Sequence, residues 1–269
     1  MRTLTFYHPG KKFPSLSVTG EQCNLACRHC QGHFLKNMID VSTPEKLRDT
    51  ANRLVSEGAN GFLLSGGFDK GGKVPLDGYY GVLKDIKRKT DLLVNVHTGL
   101  LDKNTAENLR KAGVDVVSYD MIGSSRTIKE VYGMDASPSD FENGYKLLIE
   151  EGLDVVPHIT LGLHAGRIEG EHRALEIVKA SGRIIINSLV PTFWGKSVQK
   201  DDIIKFLKTA CKITDSELVL GCMRERGRHG LEIESIRSGI DGIVNPSRKT
   251  RKWVRARYDI IEKELCCSF

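Results

Sequence analysis

Cys23, Cys27 and Cys30 stand at the spacing C-x3-C-x2-C. Thiolates are soft ligands, suited to iron–sulfur clusters and to zinc. Three thiolates on a four-iron cube leave one iron without a protein ligand, and an open metal position is where a substrate or cofactor chelates. A zinc knuckle that adds His33 is the plainer reading of the same stretch. Such knuckles bring a second C-x2-C pair or two later histidines, and none stands at suitable spacing here. The other cysteines are Cys211, Cys222, Cys266 and Cys267, seven in all. An odd number with three clustered suits metal binding in a reduced cytosol better than a disulfide framework. His97, His158, Asp120 and the trio Arg224, Arg226 and Arg228 are further polar candidates, the arginines for gripping a carboxylate or phosphate.

These residues need a frame. Short β-branched runs alternate with amphipathic ones, the mark of repeated βα units round a parallel sheet. Strands are expected at 16–19, 61–64, 92–97, 114–119, 155–161, 183–189, 217–220 and 241–244. Helices are expected at 44–57, 77–89, 103–111, 140–150, 169–180, 201–211, 229–238 and 247–264. Eight pairs over 269 residues read as a (β/α)8 TIM-type barrel. The alternative is a (β/α)6 partial barrel with an irregular C-terminal part. The whole chain, 1–269, is read as one barrel domain, with 247–269 a C-terminal helix and cysteine-containing tail. In such barrels chemistry sits at the C-terminal strand ends. The cysteine loop, Ser65–Gly67, His97, Asp120, Gly162, Trp194 and Cys222 all fall there.

With strands in place, the sequence resembles the radical S-adenosylmethionine superfamily, whose hallmark is this three-cysteine spacing after a first strand. The resemblance implies a 4Fe–4S cluster on Cys23, Cys27 and Cys30, with S-adenosylmethionine on the open iron. His29 stands where the family carries an aromatic residue beside the adenine. Ser65-Gly66-Gly67-Phe68 resembles the second-strand motif whose backbone binds the methionine amino group; Phe68 replaces the usual acid, and Asp69 follows. Asp120 matches a polar residue near the ribose and amino group, and Gly162 lies in a segment bordering the adenine. The implied chemistry is reductive cleavage to a 5′-deoxyadenosyl radical that abstracts hydrogen from substrate.

Later stretches, 186–193, Gly227-Arg228 and 239–246, resemble the endings of the biotin synthase, methylornithine synthase and hydrogenase-maturase group. Biotin synthase itself takes cysteines for its second cluster from the ends of inner strands three to five, where this chain has His97, Tyr119/Asp120 and His158. Cys222, Cys266 and Cys267 are the candidates for an auxiliary cluster here, against a small buried hydrophobe at Cys222 and a frayed tail at the other two. Cys211, on an amphipathic helix, is read as a packing residue. A sulfur-rich C-terminus on such a barrel looks similar to subunits of the two-protein lipoyl synthases, which insert sulfur into a protein-bound octanoyl chain. A carbon-skeleton rearrangement of a small molecule and a non-catalytic Fe–S scaffold or regulatory subunit are the alternatives. The implied partners are an electron donor, an acidic lipoyl-carrier protein meeting Arg248, Lys252 and Arg255, and a second radical enzyme subunit.

The formal net charge of +6 is mild. With no recognised module and no aromatics interleaved among the basic residues, nucleic-acid binding is not expected. No apolar run reaches the roughly 20 residues that span a bilayer, and residues 1–10 lack a signal peptide's apolar core. A cytoplasmic protein is therefore expected.

Overall fold

The computed structural model describes residues 2–228 and 230–269. All strands in the sheet run parallel, and every expected strand is present. They are β2 (Ser15–Ser17), β4 (Gly61–Ser65), β5 (Leu93–His97), β6 (Val116–Asp120), β7 (Val155–Leu161), β8 (Arg183–Ser188), β9 (Glu217–Leu220) and β10 (Gly242–Val244). Helices α1 (Pro44–Ser56), α2 (Tyr80–Lys89) and α3 (Lys103–Ala112) follow β3 (Ile39–Asp40), β4 and β5. A short α4 (Ser125–Thr127), continuing into a wide turn at Ile128–Tyr132, precedes α5 (Pro138–Glu150). Then come α6 (Glu171–Val178), α7 (Lys200–Ile213), α8 (Leu231–Ser238) and α9 (Arg248–Val254). The expected start of α8 at His229 lies outside the described residues.

Among the described residues the sheet has 11 strands, in the order β11-β1-β10-β9-β8-β7-β6-β5-β4-β2-β3. The extra strands are β3 and two near the chain ends, β1 (Thr3–Tyr7) and β11 (Asp259–Lys263). β1 pairs with β10, and β11 pairs with β1, so both stand beyond the eighth barrel strand. The edges are β11 and β3, which gives an opened parallel barrel with the βα order expected of it.

The expected helix over 247–264 is a correction. Only Arg248–Val254 is helical, and Asp259–Lys263 forms β11. The Ser247 side chain caps the helix by accepting the Thr250 N–H. Charged residues at helical spacing suggested continuation, but Ile260 packs on the core and the strand finds its partner in β1, at the other end of the sequence. No local period reveals such a pairing.

Alternation along the strands builds two cores. Outward residues such as Phe62, Val94, Val117, Ile159 and Ile186 pack under the helices in the larger cluster. Val116, Val156, Ile185, Val219 and Val244 form a second, smaller cluster with Tyr7 and Cys267.

Candidate functional site

The cysteine loop follows β2 and is tied to the end of β4. The Thr19 hydroxyl accepts the Gly67 N–H at 2.7 Å and donates to the Gln22 carbonyl at 2.8 Å. Phe68 N–H donates to Cys23 Sγ at 3.4 Å, and the Phe68 carbonyl accepts the Asn24 N–H at 2.8 Å. Arg28 N–H bonds the Val131 carbonyl at 2.8 Å. Ala26 and Gln31 take φ of +46° between and beside the cysteines, a conformation non-glycine residues seldom adopt and one that curls the loop.

Gly67 explains why no side chain is tolerated beside this loop. A Cβ there would lie 2.0 Å from the Gln22 carbonyl oxygen and 2.7 Å from Cys23 Cα. The close backbone approach that the sequence assigns to the cofactor is made first to the protein's own cysteine loop.

The thiols are electrostatically unlike. A hydrogen bond between Cys27 and Cys30 pushes Cys27 up, with burial adding to it, and pulls Cys30 well below the thiol range. His29 also stabilises the Cys30 thiolate. The His29 ring packs against Tyr132 at 5.3 Å, and its carbonyl accepts from the Thr192 hydroxyl at 2.6 Å. Thus the loop after β8 rests on the cysteine loop, and exposed Phe193 meets His33 edge-on at 5.8 Å.

Next to the loop, three successive strand ends present polar groups, Ser65, His97 and Asp120, and His158, expected at a strand end, stands instead midway along β7. Ser65 Oγ lies 3.1 Å from His97 Nδ1, and His97 Nε2 lies 3.0 Å from Asp120 Oδ2. Asp120 is in register with His158 on β7. Burial opposes the charge on both His97 and Asp120. Each nevertheless stabilises the other's charged form, raising His97 and lowering Asp120. Burial drives His158 the other way, to about 4, and its Nδ1 sits 3.0 Å from the Val156 carbonyl. After β7, Gly162 (φ +77°) donates its N–H to the buried Glu171 carboxylate at 2.7 Å. Burial raises Glu171 despite that bond.

The tail folds inward. Asn60 donates to the Glu264 carbonyl at 2.9 Å, and the Phe269 ring lies 5.4 Å from that of Phe13. Cys267 joins the smaller buried cluster, and its carbonyl accepts from Arg183, which also grips Glu217 at 2.7 Å. Ser268 Oγ meets Ser118 Oγ at 3.1 Å, and Asn95 Nδ2 donates to Cys266 Sγ at 3.5 Å. A hydrogen bond with Cys267 lowers Cys266 to about 6. Cys222, just past β9, is exposed to solvent yet surrounded by protein. Burial pushes its thiol up, and Cys266 is close enough to add to that. Of the four cysteines outside the loop motif, Cys266 and Cys267 lie together in the infolded tail, the charge of Cys266 reaches Cys222, and Cys211 packs elsewhere beside Gly239. Among the described residues, no three His, Cys, Asp or Glu side chains crowd round a point as ligands of a single ion do.

The family model for the radical SAM superfamily matches residues 17–180, well over half of the chain. The chain belongs to the radical SAM superfamily. No curated protein matches it in sequence. Among solved structures it is similar to the FeFe-hydrogenase maturase HydG from Carboxydothermus hydrogenoformans, at 16% identity and a TM-score of 0.61. That match covers 91% of this chain and 59% of HydG, so the chain spans about three-fifths of that relative. Methylornithine synthase (PylB) matches at 15% identity and a TM-score of 0.61, over 92% of this chain and 74% of PylB. The protein anSMEcpe, solved with bound AdoMet, matches at 17% identity and a TM-score of 0.54, over 74% of this chain and 59% of its own. At these identities the likeness shows the shared fold.

Radical SAM membership implies a 4Fe–4S cluster and S-adenosylmethionine, and the residues fit both. A backbone N–H already points at Cys23 Sγ, the kind of contact that tunes cluster sulfurs. His29 Nδ1 and Asn187 Oδ1 are buried without partners, as polar groups awaiting a ligand would be. Ser65, Gly66, Gly67, Asp120 and Gly162 lie at the ends of β4, β6 and β7, with β5 between β4 and β6, on the side of the cysteine loop.

Some polar candidates have other work. Arg224 is buried, bonding the Val244 carbonyl at 2.7 Å and Glu232 at 3.0 Å, so it ties strand ends together rather than gripping an anion. Arg226 bonds the Asn245 carbonyl at 3.0 Å and Arg228 the Val198 carbonyl at 2.6 Å. Cys211 packs beside Gly239, as a packing residue should. Thr19, Tyr132 and Glu171 were not singled out by sequence. Their partners are loop backbone and rings that only the fold assembles. Among the described residues no helix is long and apolar enough to cross a membrane.

Proposed function

We propose that this radical SAM enzyme inserts sulfur into a protein-bound octanoyl chain, as one subunit of a lipoyl synthase. The observation that carries the reading is the infolded tail, which buries Cys267 and holds Cys266 against Asn95, close enough for its charge to act on Cys222. Sulfur insertion at an unactivated carbon needs a hydrogen atom removed and a sulfur held nearby to capture the carbon radical. The cluster on Cys23, Cys27 and Cys30 is engaged with S-adenosylmethionine. A second cluster on Cys222, Cys266 and Cys267 would supply the sulfur.

The reading gives the partners roles. An electron donor reduces the first cluster. An acidic lipoyl-carrier protein meets Arg248, Lys252 and Arg255, all exposed on or just after α9; such an attraction weakens as salt screens it. A second radical enzyme subunit would perform the other of the two insertions.

One observation favours a second reading. Beyond the groups assigned to S-adenosylmethionine, His158 and the unpartnered Asn187 add polar surface better suited to a small polar substrate than to an alkyl chain. That favours a carbon-skeleton rearrangement. The deciding assay supplies octanoylated carrier, reductant, S-adenosylmethionine and a partner radical enzyme, and reads the carrier's mass. Added sulfur supports insertion. Free 5′-deoxyadenosine with no sulfur added excludes it and leaves the rearrangement. A scaffold or regulatory subunit would release no 5′-deoxyadenosine at all.

A further inference from the structure

Asp120 could bind a cofactor only if its carboxylate is charged and fixed in direction. Burial works against the charge. The structure supplies the remedy one strand away. His97, at the end of β5, is bracketed by its neighbours: Ser65 Oγ at 3.1 Å from Nδ1 and Asp120 Oδ2 at 3.0 Å from Nε2. The bracket fixes the imidazole ring, since both nitrogens are engaged across adjacent strands. The Phe68 ring, 5.8 Å away, closes one side. The Asp120 side chain keeps 30% of its surface exposed, and only its Oδ2 is engaged by His97.

We propose that His97 is a positioning residue for S-adenosylmethionine: anchored by Ser65, it holds Asp120 Oδ2 and leaves Oδ1 as the acceptor for the cofactor's N–H and O–H donors. The proposal rests on Asp120 as a cofactor-binding residue. It also explains why the Ser65 side chain matters when the Gly66-Gly67 turn works through its backbone. A neutral histidine in the same place would still bond Asp120 but would leave its charge uncompensated in a buried wall.

The groups facing the pair are Ser65 and Phe68 from the β4 end, His158 from β7, and His29 and Tyr132 across the mouth. Burial drives His158 towards its neutral form, so it competes little for the carboxylate. His29 also acts on Asp120, but more weakly than His97 does.

The test is a double-mutant cycle on S-adenosylmethionine affinity, measured by equilibrium dialysis on reconstituted protein with iron content checked for every variant. His97→Phe should weaken binding about 10-fold, and Asp120→Asn by at least as much. His97→Gln, which can still offer an N–H to Oδ2 but no charge, should recover part of the binding lost in His97→Phe. In the Asp120→Asn background, His97→Phe should add no further loss. On protein without cluster, nitrogen-15 NMR of the imidazole should show His97 losing its proton at lower pH in Asp120→Asn than in wild type. Unchanged affinity in His97→Phe, fully additive losses, or an unmoved His97 titration would overturn the proposal. If Asp120→Asn binds as well as wild type, the cofactor role of Asp120 fails and the proposal falls with it. If Asp120→Asn alone weakens binding, that role stands and His97 alone is dismissed.

Discussion

Gly67 and His158 show two ways in which one residue governs the mouth. At Gly67 the constraint is space. Because a Cβ would strike the Gln22 carbonyl and Cys23 Cα, Gly67→Ala should displace the cysteine loop. The expected outcome is a severalfold loss of bound iron together with lower S-adenosylmethionine affinity, read by iron assay and dialysis; Gly67→Val should be worse. Full iron with weakened affinity would mean instead that the glycine serves the cofactor alone. At His158 the constraint is charge. Its folded pKa is held near 4 by burial, below the ordinary value of about 6.5. As pH falls from 7 to 5 the unfolded chain takes up a proton that the folded one refuses, so stability drops by something on the order of 2 kcal/mol. His97, raised by Asp120, has the opposite sign: its contribution is present at low pH and lost as pH rises through its folded pKa. Urea melts of wild type and His158→Gln at pH 7 and 5 isolate the first effect, and the variant should lose less stability on acidification. Cys23, Cys27 and Cys30 were legible from spacing alone because their relation is local. The His97–Asp120 bond was not, because its partners are 23 residues apart and meet only across β5 and β6.

At the scale of elements, strands buried on both faces announce themselves, and β7 and β9 run over the residues expected of them. β1 and β11 do not. Each is defined by pairing with a strand from the far end of the chain. The charged run 247–264 carried a helical period over seven residues of true helix and then yielded to that pairing. The consequence is functional, since β11 delivers the tail to the interior. Removing residues 264–269 takes away Cys266, Cys267 and the Ser268–Ser118 contact. The truncated protein should keep its radical SAM cluster and its 5′-deoxyadenosine formation in strong reductant, while losing sulfur insertion. Loss of both activities in a chain that still folds would show that the tail supports the first cluster as well.

For the whole molecule, an opened parallel barrel carries its cysteine loop at the C-terminal strand ends, while the C-terminal tail contacts Phe13, Asn60 and Arg183 at or just before strand starts and reaches inward to Asn95 and Ser118. The fold class was readable because βα alternation repeats eight times. The meeting of the tail with Asn95, Ser118 and Arg183 was not, since nothing local to 264–269 says where it lies. The claim that joins these parts is that the chain carries two clusters. Its most direct test is iron and sulfide per chain after anaerobic reconstitution, for wild type, for the Cys23/Cys27/Cys30 triple alanine variant and for the Cys222/Cys266/Cys267 triple alanine variant. Two 4Fe–4S clusters predict about eight irons in wild type and about four in each variant, with S-adenosylmethionine cleavage lost only in the first variant. About four irons in wild type, unchanged when Cys222, Cys266 and Cys267 are replaced, would contradict it.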